Sequence, residues 1–197
     1  ISKQGGSLNP EFYVLQNNDK VEYLCYTSEY YLTCYNQKPL LKQSMEEEIQ
    51  KSIKSKIDSC FSEMESNFEN KGASVNVNKK DFNVELFPKR IRLEIDYETV
   101  VNSDAGSNRY DQFDIDFNNN LYDLISIASS IGNWEARYGD AETTLYMTYY
   151  PNIKVEKVKL NDGSKVYIIT DRNTKEEFKF ASRSVVFPPG YGADQIK

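Results

Sequence analysis

The sequence predicts an α+β fold, mostly antiparallel sheet with one long and one shorter amphipathic helix. Three observations carry that prediction. Apolar residues recur at spacings of three and four between Met45 and Phe68, the signature of a helix with one buried stripe. A shorter run of the same kind follows Asn118-Asn119-Asn120. Before, between and after them lie β-prone runs in which apolar and polar residues alternate, each bounded by turn residues.

Residues 1–20 read as an irregular lead-in, with Gly5-Gly6 and Asn9-Pro10 as breakers. A hairpin is expected next, from Val21 to Tyr26 and from Tyr31 to Tyr35, with its connection around Ser28-Glu29. A turn centred between Glu29 and Tyr30 sets Cys25 directly opposite Cys34, close enough for a disulfide. The alternative is two free thiols on one sheet face. The bond depends on export, because cytosolic thiols stay reduced.

The long helix is expected to start at a capping box, Ser44-Met45-Glu46-Glu47. Its stripe is Met45, Ile49, Ile53, Ile57, Phe61, Met64 and Phe68, and Lys71-Gly72 ends it. Cys60 lies on or beside the stripe and is the odd thiol of three cysteines, either buried and free or paired outside this chain.

A meander is expected over residues 73–117. Its apolar faces are Ala73/Val75/Val77, Phe82/Val84/Leu86, Ile91/Leu93/Ile95/Tyr97 and Phe113/Ile115/Phe117. Turns are read at Asn78 to Asp81, at Phe87-Pro88 and in the polar stretch Asn102 to Asn108. The second helix buries Leu121, Leu124, Ile125, Ala128 and Ile131, stops at Gly132, and leaves Trp134 in the exit loop. Closing strands are expected at Leu145–Met147, Ile153–Val155, Val166–Thr170 and Phe178–Ala181, with Asn161-Asp162-Gly163 as a hairpin turn. Residues 188–197, beginning Pro188-Pro189-Gly190, read as a frayed tail. No repeat or linker divides the chain, so residues 1–197 are taken as a single α+β ectodomain.

Composition narrows function mainly by exclusion. With 39% hydrophobic and 27% charged residues, the chain is of globular type. A net charge of −6 argues against nucleic acid, which needs clustered Lys and Arg, and Lys89-Arg90 with Arg92 reads as a solvated strand edge. The chain has no His, which removes Ser-His-Asp and Cys-His machinery and His-ligated zinc. It also lacks a P-loop, a dinucleotide-binding glycine motif, a Cys-x-x-Cys pair and any Asn-x-Ser/Thr sequon. Asp111, Asp114 and Asp116 lack the glycine turn and spacing of a calcium loop and read as solvated. No catalytic, cofactor-binding or metal-ligating residue is therefore expected, and no cofactor. The 15 Tyr suit half-exposed sheet surfaces or a ligand platform.

In its order of motifs the chain resembles a family of uncharacterised archaeal surface proteins that carry a type IV pilin-like N-terminal hydrophobic segment. The matching features are Gln4-Gly5-Gly6 before Pro10, the aromatic run Val21 to Tyr35, and the helix near Cys60-Phe61. They continue with Phe113 to Ala128, Val166 to Asp171 and Phe178 to Ala181, so the likeness spans nearly the whole chain through short motifs. The two hairpin cysteines and the Pro-Pro-Gly tail depart from the pattern. The resemblance implies a membrane anchor upstream of Ile1, and a Cys preceding Gln4 that would give Cys60 a partner.

The resulting expectation is the extracellular soluble domain of a membrane-anchored cell-surface protein, with a structural, adhesive or pilin-like role and no enzymatic activity. Its expected partners are other surface proteins, glycans or neighbouring cells, and it meets the membrane only through a segment outside this chain. Two other readings stand beside it. One is a glycan hydrolase working through paired carboxylates. The other is a glycan- or peptide-binding module using Tyr platforms, including Tyr149-Tyr150 or Trp134.

Overall fold

A computed structural model describes residues 1–104 and 106–186, so the expected tail lies outside the described residues. In chain order, a 3₁₀ turn (Ser2–Gln4) precedes strands β1 (Tyr13–Gln16), β2 (Asp19–Tyr30) and β3 (Tyr35–Asn36), then helix α1 (Leu41–Glu69). Strands β4 (Ser74–Phe87), β5 (Arg90–Ser103), β6 (Gly106–Tyr110) and β7 (Phe113–Asn118) follow. Helices α2 (Leu121–Tyr138) and α3 (Thr143–Tyr149) lead into β8 (Ile153–Lys159), β9 (Ser164–Asp171) and β10 (Glu177–Val185). The fold is α+β, as expected. The sequence reads as one domain, and the folded chain divides into two compact units: Ile1–Met45 with Asn120–Lys197, and Glu46–Asn119.

The first unit holds a sheet in the order β1-β2-β10-β9-β8, with β3 also paired to β2. Its described pairings are antiparallel except β2 with β10. Helix α2 lies on β10 and β9. Its buried stripe holds Leu124, Ile125, Ala128 and Ile131 as expected and adds Ile127, whereas Leu121, expected to be buried, stays half-buried at the first turn. Phe178 and Phe180 are fully buried, and Phe180 stacks on Tyr167 at 5.1 Å. On the opposite face Val21, Tyr23, Val166 and Ala181 form a second apolar cluster.

The lead-in is more ordered than expected. Tyr13–Gln16 pairs antiparallel with β2. Ser7 donates to Glu22 at 2.6 Å, and Lys38 reaches both residues. The hairpin is also displaced. β2 continues to Tyr30 because β10 pairs alongside it, and Tyr31 donates its amide to Val185. Cys25 therefore faces Asn36 in the ladder rather than Cys34. The Cys25–Cys34 disulfide nonetheless forms, across a Cα separation of 5.4 Å.

In the second unit β5 is central, paired with β4 on one side and with β6 and β7 on the other. Helix α1 covers one face, seating Ile57 and Phe61 against Phe82, Val84, Leu93, Ile95 and Tyr97, with Ile49, Ile53 and Met64 at the margin. The helix starts three residues before the expected capping box. Ser44 already donates its amide to Leu40 inside the first turn, so it caps nothing. Phe68, the last stripe residue, is 38% exposed. The expected turn at Asn78 to Asp81 is a β-bulge instead. Lys79 faces Tyr97 and Phe82 faces Ile95, which leaves one extra residue on β4 and lets the strand run on. Within Asn102 to Asn108, β6 begins at Gly106. On β7, Phe113 packs against Phe61, while Ile115 and Phe117 stay exposed, so the expected burial of that whole face is not met.

Candidate functional site

The sequence-derived site residues separate into structural roles. Cys25 and Cys34 are bonded, a state that fits an oxidising compartment. Cys60 is a free, exposed thiol on α1, which removes the buried alternative. Asp116 takes a two-pronged bond from Arg92 at 2.9 and 3.0 Å and lies 3.8 Å from Arg90. The Arg92 guanidinium holds that carboxyl below its usual range, and the basic cluster is thereby answered in part. Asp111 accepts from Arg109 and Asp114 from Gln112. Among the described residues no group of three or more cysteines and carboxylates is placed to hold a metal ion, and no helix is long and apolar enough to cross a membrane.

The feature with the shape of a site is the corner where α2 hands over to α3. α2 does not stop at Gly132. It runs to Tyr138, and Gly139 closes it in the left-handed conformation, with φ +81. No larger residue fits there, since a Cβ on Gly139 would sit 1.7 Å from Val186 Cγ2. The extra turns raise Trp134 from the expected loop into the helix, where Ser130, Trp134 and Tyr138 recur at steps of four along one margin of the buried stripe. Leu145-Tyr146-Met147 is not a strand but part of α3. The Glu142 side chain accepts the Thr144 amide at 2.9 Å and so caps that helix.

A buried charge network fixes the corner. Glu135 is fully buried and receives Lys165 Nζ at 2.7 Å, Ser182 Oγ at 3.0 Å and the Ala141 amide at 2.9 Å. The Tyr167 hydroxyl also donates to it. Burial, then the Glu135 charge and hydrogen bond, push the Tyr167 phenol far above its ordinary range, so it stays a donor. Lys165 further donates to the Gly139 carbonyl at 2.5 Å and to Asp140 at 3.1 Å. Lys157 holds Asp140 and the Ala141 carbonyl from the other side. Burial works against ionisation of Asp140, but Lys157 and Lys165 outweigh it and keep its carboxyl below the usual range.

On this frame α2 and α3 enclose a cleft of about 420 Å³, lined by Ser130, Trp134, Glu142, Leu145, Tyr146, Tyr149 and Tyr150. That size suits a small ligand or one protruding group of a larger one. Tyr146 and Ser130 share a hydroxyl–hydroxyl bond of 2.8 Å, and burial raises the Tyr146 phenol despite that bond. Trp134 is 43% exposed and Tyr149 76% exposed, and the Trp134 ring lies 4.5 Å from that of Tyr138. Exposed Trp134, Tyr149 and Tyr150 thus gather in one concavity rather than being scattered singly over the surface. Trp134, Tyr149 and Tyr150 figured in the sequence reading as a possible platform. Ser130, Glu142, Leu145 and Tyr146 did not.

A second concavity, about 500 Å³, lies in the other unit beside the β4 bulge and carries Asp81, Glu94 and Asp96 among Gln50, Asn83 and Gln112. Comparison with family models, with curated proteins and with solved structures finds nothing that matches this chain.

Proposed function

We propose that this chain is the extracellular binding domain of a membrane-anchored surface protein, and that it captures a glycan or peptide in the aromatic cleft of α2 and α3. The cleft carries the reading: four aromatic side chains and one carboxylate converge there on a frame pinned by buried charges. Flat aromatic faces supply large contact area at small entropic cost, which suits sugar rings and peptide side chains alike. The disulfide supports the extracellular part of the reading.

Purified protein screened on glycan and peptide arrays is expected to retain a defined ligand set. Trp134→Ala and Tyr149→Ala each lower affinity by about 10-fold or more, as loss of a central aromatic anchor does. Ligand binding that ignores both substitutions counts against the cleft. Surface biotinylation of intact cells tests display, and labelling only after lysis contradicts it.

The groove with Asp81, Glu94 and Asp96 favours a second reading, carboxylate-based glycan hydrolysis, because bulges often stand beside active sites. Sugar release from a polysaccharide panel, abolished by Glu94→Gln with Asp96→Asn, is its test. Equal release by wild type and variant, or none by either, removes it.

A further inference from the structure

We infer that the group entering the cleft is a methylated ammonium, carried on the lysine side chain of a peptide ligand; this rests on the binding reading above. The lining is electrically one-sided. Trp134, Tyr146, Tyr149 and Tyr150 present ring systems whose faces are negative, and Glu142 adds a full negative charge. No Lys or Arg stands among the described lining residues. Arg137, the nearest cation on α2, is directed over the Tyr138 ring at 5.2 Å.

Glu142 is held in its charged form. Thr144 donates both its hydroxyl, at 2.7 Å, and its amide, at 2.9 Å, and these bonds keep the carboxyl below its ordinary range. Both bonds fall on Oε1, which leaves Oε2 to meet a ligand. Of the lining hydroxyls, those of Ser130 and Tyr146 are engaged with each other. The cleft thus offers a cation aromatic rings and one fixed carboxylate, and among the described residues no cationic side chain stands in its lining to meet an anion. An anionic sugar or a phosphate is disfavoured on the same grounds.

Methylation follows from hydration. A primary ammonium is strongly hydrated and gives up water reluctantly for aromatic carbon, whereas a methylated one spreads its charge over apolar surface that the rings can cover. One carboxylate is enough to balance one diffuse charge. The open rim, where Tyr149 and Tyr150 are well exposed, leaves room for the peptide backbone to pass.

The chain carries a single tryptophan, Trp134, so its emission reports this cleft alone. The test is a fluorescence titration of the whole chain with three short, otherwise identical peptides, bearing trimethyllysine, lysine or norleucine at the central position. Trimethyllysine is expected to bind about 10-fold or more tighter than norleucine, with lysine between. Glu142→Gln is expected to weaken the trimethyllysine peptide about 3- to 10-fold while near-ultraviolet circular dichroism stays unchanged.

If norleucine binds as tightly as trimethyllysine, or a neutral glycan displaces both, the cation inference fails while the binding reading stands. If neither peptides nor array glycans move Trp134 emission, both fail. Glu142→Gln without effect overturns the carboxylate's part and with it the selection for charge.

Discussion

Replacing Lys165 by Met tests whether the buried network holds the α2–α3 corner. The substitution keeps most of the side chain's bulk and removes its charge and three donated bonds, to Glu135, Gly139 and Asp140. The Asp140 contact matters least, because that carboxylate is half exposed and water takes the lysine's place. Glu135 is the costly partner, with no exposure and a counter-charge 2.7 Å away. At an effective dielectric of about 20 that attraction is roughly 6 kcal/mol before other terms. The bonds from Tyr167, Ser182 and Ala141 still satisfy the carboxylate in part. The net loss should therefore fall in the range found for stripping one partner from a buried pair, about 3–5 kcal/mol. For a chain of this size that lowers Tm by roughly 6–20 °C.

Urea unfolding followed by Trp134 emission is the assay, since that residue sits on the same corner. The double variant Glu135→Gln with Lys165→Met supplies the control. Its neutral amide still accepts from Ala141 and Tyr167 and can donate to Ser182, so about half or more of the loss should return. A single variant within about 1 kcal/mol of wild type would refute the account of the corner, and so would a double variant as unstable as the two singles added.

Three further predictions follow from charge and covalent structure. Asp140 has its folded-state carboxyl below the ordinary value, so its contribution to stability is present above about pH 4 and is lost as pH falls through the folded value. Acid titration of stability should therefore be shallower in Asp140→Asn, and an unchanged slope counts against its pairing with Lys157 and Lys165. Tyr97 is pushed up to about 12, first by burial and then by its 2.9 Å bond to Asp58, so its contribution is present below about pH 10 and lost as pH rises through the folded value. Tyr97→Phe should flatten that alkaline loss; a steep fall retained in the variant contradicts it. The disulfide closes a short loop, with a sequence separation of 9, which by loop entropy is worth about 3 kcal/mol. Native protein should alkylate at one thiol, Cys60, with two more released by reduction; three labelled without reductant contradicts the bond.

Legibility in the sequence tracked how strongly burial writes itself into a pattern. Ile49, Ile53, Ile57 and Phe61 repeat at helical spacing because each meets the sheet, and Asn161-Asp162-Gly163 marks its hairpin because glycine takes a positive φ. β6 left no trace, as all five of its residues are exposed and nothing alternates. Gly132 looked like a stop, but its propensity cost is small beside the burial of Ile127, Ala128 and Ile131 in the turns before it. The bulge at Lys79 hid because a polar run on an exposed strand resembles a turn.

The cleft was half legible. Trp134, Tyr149 and Tyr150 stood out as exposed-type aromatics, and Ser130, Trp134 and Tyr138 do recur at steps of four, a signal open to anyone who extends α2 past Gly132. Glu135 and Lys165 could not be foreseen as partners, because the pairing joins a helix to a strand 30 residues on and depends on α2 lying across β9 and β10. Reading Leu145-Tyr146-Met147 as a strand separated the residues that α3 brings together.

Ligand capture by the cleft is the claim on which the functional account stands, and equilibrium titration of the best array ligand against wild type and Tyr149→Ala measures it most directly. The account predicts a saturable shift in Trp134 emission, with affinity about 10-fold or more weaker in the variant. Saturating ligand that leaves Trp134 emission unmoved, and binds the variant as tightly as wild type, contradicts it.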